Sequence, residues 1–383
     1  MRATIARAAP SLGTVSSVDE LSGLAPQWDE LVRSQARPSP FLLHGWLSEW
    51  WRHYGEGGEL AVHVAHRDGR LVGALPLCTR RRYGLRIVSF LGGDTGLADL
   101  LLAGDEDPAT ATALAARAAA GRHDFADFCG LPAGSRLVAG LGASSVRLIA
   151  RSEAPVLDLS RGWHVIYASR LSAKKRNLHR RRRRQLASLG RLEIEVARTP
   201  DELDRALDDA FEVHLLRWNG RPDGSGFATA TGRRFNHALV RTLAPLDVPR
   251  IVTLRIGGRP IAFHYYLALE GRMYVHRLAF DPEFARFSPG VINTLDAIEA
   301  AAAEGATRVE FLGGAERYKV ELADHLEPLH QGLGLAGTLR GRAAVAARLG
   351  GIRARGRLKR SATLRRFYFD GLAPARRLLG RVA

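Results

Sequence analysis

A short polar segment after a predicted strand carries side chains that are well suited to chemistry. The strand runs from Arg308 to Leu312, two glycines follow it, and Glu316, Tyr318 and Lys319 come next. A lysine ammonium can hold a phosphate or an oxyanion, a tyrosine hydroxyl can donate a proton, and a glutamate can orient or deprotonate an amine. Because open α/β sheets bind ligands at the carboxyl ends of their strands, we predict a functional site here. The alternative is an ordinary glycine turn with surface charges.

A second candidate site lies where an apolar helix is predicted to begin. The helix is predicted over residues 290–304, with Ser288 as its N-cap and Pro289 as its first helical residue. The N–H groups and the positive end of the helix dipole would then point at a bound anion. We predict that phosphate groups bind over the loop Arg286-Phe287-Ser288-Pro289-Gly290-Val291.

Three strand-like segments lead to this loop. Residues 251–256 and 261–269 form a predicted β-hairpin around Gly257 and Gly258, and residues 273–280 form a third strand. In the third strand, period-2 alternation places Tyr274 and His276 on one face and Arg277 on the other.

These segments together resemble the acyl-CoA N-acyltransferases of the GNAT superfamily. The resemblance is to the CelD-like or BioF2-like acetyltransferase domains, which are related to the Fem-type peptidoglycan aminoacyltransferases. It covers most of residues 15–325, and the following residues carry it: Pro40-Phe41, Trp46, Trp50-Trp51, Arg217-Trp218, Gly258-Arg259-Pro260-Ile261-Ala262, Ala279-Phe280-Asp281-Pro282, Ser288-Pro289-Gly290 and Gly313-Gly314-Ala315-Glu316-Arg317-Tyr318-Lys319. The usual phosphate loop of the superfamily, Arg or Gln followed by x-x-Gly-x-Gly or Ala, is reduced here to the run from Arg286 to Val291.

The resemblance implies an acyl-CoA donor, and it assigns roles to several residues. In the superfamily the strand before the phosphate loop runs past the thioester, so His276 is the predicted general base, with an ordinary pKa of about 6.5. Glu316, Tyr318 and Lys319 complete the predicted catalytic set, and a lysine near this place is implicated in catalysis in Fem-type relatives. The predicted substrate-binding residues are Trp46, Arg217, Trp218, His264 and Tyr266. His264, Tyr265 and Tyr266 are also the alternatives to His276. The sequence has no nucleophile elbow, so we expect the acceptor to attack the donor directly.

The chain contains two similar halves. A hairpin around Asp68 and Gly69 repeats the pattern of the later one, and the order of strands and helices agrees in both halves. We therefore predict an α/β (α+β) fold of tandem GNAT-like domains, each a mixed, mostly antiparallel sheet flanked by helices. The predicted domains are residues 1–155, residues 156–335 as the acyltransferase domain, and residues 336–383 as a basic C-terminal segment. Residues 141–154 are predicted to form the linker.

The net charge of +17 is concentrated in two places. Residues 170–191 hold ten basic side chains and no acidic one, and residues 340–383 hold thirteen with only Asp370, so the rest has 33 basic and 38 acidic residues. The first segment is a predicted helix over residues 171–189, and a capping box at Thr199 and Glu202 starts the next helix. Localised basic charge indicates an anionic membrane surface or a polyanion as partner, although the arginines could simply be solvated.

Composition limits the remaining possibilities. The two cysteines, Cys78 and Cys129, are too few for a disulfide framework, and we expect buried, reduced thiols. The thirteen histidines show no metal-ligand spacing, so no metal is predicted. No apolar run approaches the roughly 20 residues of a membrane span, and we expect a cytoplasmic protein that can associate peripherally with the inner membrane.

Three functions fit the sequence. The first is an acyl-CoA-dependent N-acyltransferase (acetyltransferase) that acts on an amino group of a sugar, a peptide or a cell-envelope or polysaccharide precursor. The second is a Fem-like transferase that takes its acyl group from aminoacyl-tRNA and binds RNA through residues 174–184 and the basic tail. The third is a non-catalytic adaptor of polysaccharide or envelope assembly that keeps the fold.

Overall fold

The computed structural model describes residues 9–93, 96–142, 145–218, 226–314 and 316–360. These residues form an α/β protein with one four-stranded antiparallel sheet and one eleven-stranded mixed sheet, both flanked by helices. The predicted fold class is confirmed.

The described residues form fifteen strands and twelve α-helices. The strands are β1 Ser11–Val15, β2 Gly58–Leu60, β3 Val62–Arg67, β4 Arg70–Leu75, β5 Leu77–Arg82, β6 Leu85–Phe90, β7 Leu101–Leu102, β8 Phe125–Leu131, β9 Val146–Asp158, β10 Leu192–Ala197, β11 Pro249–Ile256, β12 Arg259–Leu269, β13 Arg272–Phe280, β14 Arg308–Glu310 and β15 His325–Gly334. The α-helices are α1 Val18–Gly23, α2 Ala25–Arg33, α3 His44–Tyr54, α4 Pro108–Ala119, α5 Arg136–Leu141, α6 Trp163–Arg170, α7 Ala173–Ala187, α8 Pro200–Arg217, α9 Ala230–Leu243, α10 Pro289–Ala303, α11 Arg317–Leu322 and α12 Leu339–Arg360. Short 3-10 helices cover Pro40–Leu42, Ala244–Leu246 and Pro282–Phe287.

The large sheet joins both halves of the chain. Its strand order is β10-β11-β12-β13-β14-β9-β15-β8-β6-β5-β2, and the small sheet has the order β1-β3-β4-β7. In the large sheet the pairs β13–β14 and β6–β8 are parallel. The ladder between β13 and β14 is short, with only three residue pairs, and the candidate site begins where this ladder ends.

Two hairpins have the same type of turn. Asp68 and Gly69 have φ values of 51° and 77°, and Gly257 and Gly258 have φ values of 55° and 81°. Two-residue turns with positive φ at both positions match the right-handed twist of the flanking strands. The β3–β4 hairpin belongs to the small sheet and the β11–β12 hairpin to the large one, so the predicted pair of comparable hairpins in separate sheets is confirmed. The domain limits at residues 155 and 335 stay predictions.

The predicted linker over residues 141–154 is wrong for most of its length. Strand β9 begins at Val146 and lies between β14 and β15 in the large sheet. Its charged residues, among them Arg147 and Arg151, interrupt the hydrophobic pattern from which a strand is predicted. The backbone N–H and C=O groups of β9 form hydrogen bonds with neighbouring strands on both edges. Those strands come from parts of the chain far from β9 in sequence.

A buried ion cluster holds the short strand β14 in place. Glu310 is fully buried, and its carboxylate accepts hydrogen bonds from Arg37 Nε at 3.1 Å and Arg37 Nη2 at 2.6 Å. Arg308 Nε and Arg272 Nη1 approach the same carboxylate at 2.8 and 3.3 Å. A buried carboxylate is tolerated only with such partners. Arg37 belongs to the first half of the chain, so this cluster ties that half to the strand that begins the candidate site.

Candidate active site

Strands β13 and β14 separate after three residue pairs. Their ladder joins residues 272–274 to residues 308–310, and Val275 to Phe280 have β12 as their strand neighbour. On its other side β14 follows β9, and Phe311 N donates to Pro155 O at 3.0 Å. The outer half of β13 therefore has an open edge that faces the segment after β14. We call this opening the β13/β14 gap.

Strained backbone lies on both sides of the β13/β14 gap. Leu312, just after β14, has a φ of 56°, and Ser288, just before α10, has a φ of 53°. Left-handed conformations of non-glycine residues cost about 1–3 kcal/mol each and cluster at functional sites. The two outliers mark the same region as the sequence motifs.

Lys319 and Glu316 form an ion pair at the end of this segment. Lys319 Nζ lies 2.8 Å from Glu316 Oε2, and Lys319 is only 5% exposed whereas Glu316 is exposed. Gly314 has a φ of 108°, and a Cβ there would lie 2.8 Å from Glu316 Oε2. Glycine at this position therefore permits the approach of Glu316.

Tyr318 joins α11 to α10. Its hydroxyl interacts with the side chain of Thr294, whose Oγ1 donates to Gly290 O at 2.8 Å. Burial, and next the charge of Glu316, raise the pKa of Tyr318 above its ordinary value. Tyr318 is therefore protonated at neutral pH and can act as a proton donor.

His264 lies beneath α10 in a layer of buried polar side chains. It is 1% exposed, and both of its ring nitrogens lack a hydrogen-bond partner among the described residues. The same holds for Tyr266 Oη. Burial, and next the positive charge of Lys319, lower the pKa of His264 to about 3. His264 is thus buried near Lys319, whereas Tyr266, also predicted to bind substrate, is buried near Glu304 at the C-terminal end of α10.

A β-bulge determines the direction of His276. Tyr265 pairs with Arg277 and Tyr266 pairs with Val275, so His276 is the extra residue of β13. The prediction that Arg277 faces away from His276 is wrong, because a bulge interrupts the period-2 alternation. Both side chains face Tyr265: the rings of His276 and Tyr265 lie 5.0 Å apart, and the charge of Arg277 acts on the Tyr265 hydroxyl.

His276 is surrounded by aromatic rings. Its ring lies 5.3 Å from the ring of Trp46 and 6.0 Å from the ring of Phe41. Burial, and next the charge of Arg277, hold the pKa of His276 well below its ordinary value. It is therefore neutral at physiological pH. Trp46 is 1% exposed and its indole nitrogen donates to Gly92 O at 3.1 Å, so this predicted substrate-binding residue forms part of the wall behind His276.

The predicted phosphate loop has a compact form. The 3-10 helix Pro282–Phe287 runs directly into α10, with Ser288 at the N-cap and Pro289 in the first turn, as predicted. The Ser288 side chain makes no capping hydrogen bond. A Cβ at Gly290 would lie 2.9 Å from Phe280 Cδ1, so packing against β13 requires glycine here.

Arg217 and Trp218 lie at the open end of β13. The Arg217 guanidinium lies over the Phe280 ring at 5.2 Å, and Trp218 is 49% exposed. Both side chains can reach a ligand at this end of the strand.

The structure divides the predicted catalytic residues into two groups. Glu316, Tyr318 and Lys319 lie together beside α10, and His276 lies in the aromatic cluster formed by α3 and β12. Thr294 was missed by the sequence reasoning. Its position in the sequence could have indicated it, because Thr294 is four residues after Gly290. It therefore lies one helical turn further along the same face of α10 as the loop.

Comparison with known proteins gives the class of the protein. Residues 173–320 match the family model described as an acetyltransferase (GNAT) domain. This match contains α7, the β13/β14 gap and the loop before α10. Residues 173–320 thus form a GNAT-type acetyltransferase domain, as the motifs predicted, and a domain of this kind supports an N-acyltransferase activity.

Solved structures share the fold over most of the chain. FemX is 11% identical, with a TM-score of 0.57 over 84% of this chain and 96% of that one. The C-terminal domain of a putative lysylphosphatidylglycerol synthetase from Agrobacterium fabrum is 13% identical, with a TM-score of 0.53 over 86% of this chain and 96% of that one. L-PGS from Bacillus licheniformis is 13% identical, with a TM-score of 0.50 over 79% of this chain and 91% of that one. No curated protein sequence matches this chain significantly.

Proposed function

We propose that the protein transfers an acyl group from acyl-CoA to an amino group of a sugar, a peptide or a cell-envelope precursor. The β13/β14 gap is the observation that supports this most strongly. Residues 275–280 present backbone N–H and C=O groups along an open edge. An extended ligand arm that contains amides, such as pantetheine, can pair with such an edge in place of a strand.

Each predicted catalytic residue can take one role in this transfer. The amine attacks the thioester carbonyl, a tetrahedral oxyanion forms, the C–S bond breaks and the thiolate takes up a proton. Tyr318 is protonated and can supply that proton, while Lys319 can stabilise the oxyanion with Glu316 orienting its ammonium. Neutral His276 can accept the proton that the amine loses. The loop from Arg286 to Val291 can hold the donor phosphates.

The test is a transfer assay with the purified full-length protein. Acetyl-CoA and longer acyl-CoAs are incubated with hexosamines, amino acids and short peptides, and released thiol and acylated product are measured. We expect activity in the wild type and loss of it in Lys319→Ala. Lys174→Ala is the matched control, because Lys174 is an exposed lysine on α7. Absence of thiol release with every donor and acceptor contradicts the proposal.

Aminoacyl-tRNA is the second candidate donor. The exposed cations Arg180 and Arg184 on α7 favour it, since they have no acidic partner among the described residues. Binding of charged tRNA that weakens steeply with salt, with no binding of acetyl-CoA, supports this donor.

We also propose that the basic C-terminal segment associates with an anionic membrane surface. Helix α12 packs on the body: Arg348 Nη2 lies 2.5 Å from Asp127 Oδ2, and Leu349 and Ile352 line a groove of about 330 Å³ beside Leu148. Residues 361–383, which carry much of the apolar and basic pattern, lie outside the described residues. None of the described helices has the length and hydropathy to cross a membrane.

A further inference from the structure

Helix α7 packs beside the start of α10. Leu186 is fully buried in a cluster with Phe287 and Ile292, and Arg183 Nη1 lies 2.6 Å from Asp296 Oδ1. The later residue on α7 thus contacts the earlier residue on α10, so the two helices run in opposite directions. The C-terminal half of α7 consequently lies next to the loop that precedes α10.

The N-terminal part of α7 reaches the other side of the gap. Lys175 Nζ lies 2.7 Å from Glu321 Oε1 on α11, the helix that carries Tyr318 and Lys319. Helix α10 follows β13 and α11 follows β14. Helix α7 therefore bridges the two helices that flank the β13/β14 gap.

Arg182 lies in the middle of this bridge without a partner. It is one helical turn from both His179 and Leu186 on the face that meets the body, and it is partly buried. Its charge acts on His179, together with that of Lys175. Arg182 makes no hydrogen bond or ion pair with any described residue, whereas Lys175 and Arg183 each have an acidic partner. The guanidinium nitrogens of Arg182 are accessible to solvent, so they are available to bind an anion.

A second unpaired cation lies on the far side of Phe287. Arg286 is exposed, stacks on the Phe287 ring at 4.5 Å and has no acidic partner among the described residues. Leu186 belongs to the same apolar cluster as Phe287, so α7 and Arg286 approach this ring together. Arg286 thus presents an unpaired guanidinium at the predicted phosphate loop, and Arg182 presents another on the helix that packs against α10.

We propose that Arg182 on α7 is a further phosphate-binding residue for the nucleotide part of the donor. A guanidinium binds phosphate oxygens in a bidentate manner, which suits a pyrophosphate or a 3′-phosphate. Helix α7 contacts both helices that flank the gap, so Arg182 lies on an element next to a donor bound there. This inference rests on the proposed function and adds a residue from outside the loop of residues 286–291.

The test compares two ligands and three variants of the full-length protein by calorimetry. The ligands are acetyl-CoA and S-acetylpantetheine, which has no phosphate. We expect Arg182→Gln to raise the Kd of acetyl-CoA roughly tenfold, about 1.4 kcal/mol, and to leave that of S-acetylpantetheine unchanged. Arg181→Gln is the matched control, because Arg181 is the adjacent, exposed arginine and undergoes the same change of charge. Arg182→Lys is expected to restore part of the affinity.

The outcomes separate this inference from the proposed function. The role of Arg182 is overturned if Arg182→Gln and Arg181→Gln have equal effects, or if Arg182→Gln affects both ligands equally. It is also overturned if the protein binds charged tRNA but not acetyl-CoA. If the wild type shows the expected binding pattern but transfers no acyl group, the proposed function fails and the role of Arg182 stands. If the wild type transfers acyl groups and Arg182→Gln binds normally, the function stands and the role of Arg182 fails.

Discussion

Tyr265 lies directly opposite Arg277 in the ladder between β12 and β13, and the next pair joins Tyr266 to Val275. His276 therefore has no residue opposite it, and its ring turns towards Tyr265 at 5.0 Å. A bulge re-aims a side chain without a change in the rest of the strand. Here the bulge places the neutral imidazole of His276 against the rings of Trp46 and Phe41.

His276→Phe tests the role of this imidazole. Phenylalanine keeps the aromatic contacts but cannot accept a proton, so we expect kcat to fall by about 100-fold with little change in KM. Steady-state kinetics of acyl transfer measure this. Tyr265→Phe removes a polar group from the same cluster and is expected to retain activity. Full activity of His276→Phe contradicts the assignment as base.

Tyr318→Phe tests proton donation to the leaving group. The variant lacks the hydroxyl that burial keeps protonated, and we expect kcat for thiol release to fall by about 100-fold. Thr294→Val removes the neighbouring hydroxyl and leaves Tyr318 in place, and we expect it to reduce this rate by about 1 kcal/mol, roughly fivefold. An unchanged rate of thiol release in Tyr318→Phe rules out this donor.

Gly290→Leu tests the loop before α10. A Cβ at this position meets Phe280 at 2.9 Å, so a side chain must displace the start of the helix. We expect the Kd of the donor to rise at least roughly tenfold, about 1.4 kcal/mol, measured by calorimetry. Gly350→Leu on α12 is the control, because a Cβ there has no neighbour within 4 Å. Donor binding that is the same in Gly290→Leu and the wild type counts against the site.

His264 predicts a dependence of stability on pH. The pKa of this imidazole is about 3 in the folded protein, compared with 6.5 for an ordinary histidine. Between these pH values the unfolded chain binds a proton that the folded protein does not. The free energy of unfolding therefore falls as pH decreases through this window, by up to about 1.4 kcal/mol per pH unit from this residue.

His264→Leu is expected to reduce that slope. Denaturant unfolding at several pH values between neutrality and pH 4 measures it. His164→Gln is the control, because the His164 side chain is 88% exposed. The same slope in His264→Leu and in the wild type shows that His264 does not contribute.

Removal of the basic tail tests the membrane proposal. A chain that ends at Leu339 loses the thirteen basic residues of positions 340–383. Each basic side chain near an anionic bilayer contributes about 1 kcal/mol, so we expect the full-length protein to float with anionic vesicles at low salt and the shortened chain not to. Neutral vesicles are the control. If the two proteins float equally, the tail does not contribute to membrane binding.

Local rules determined a large part of this structure. The hairpin at Gly257 and Gly258, the N-cap at Ser288 and the capping box of Thr199 with Glu202 were all predicted from the sequence and are present. Each depends on residues within about four positions of each other, where turn chemistry and helix periodicity suffice.

Tertiary contacts decided the rest of the candidate site. The strand pairing of β9, the bulge at His276, the contact of Tyr318 with Thr294 and the bridge of α7 from α10 to α11 join residues far apart in the chain. No local pattern encodes them, because they follow from strand register and from which faces of the helices meet. The sequence by itself therefore determined the kind of fold and the residues available for chemistry, while strand register and helix packing decided which of those residues share a site.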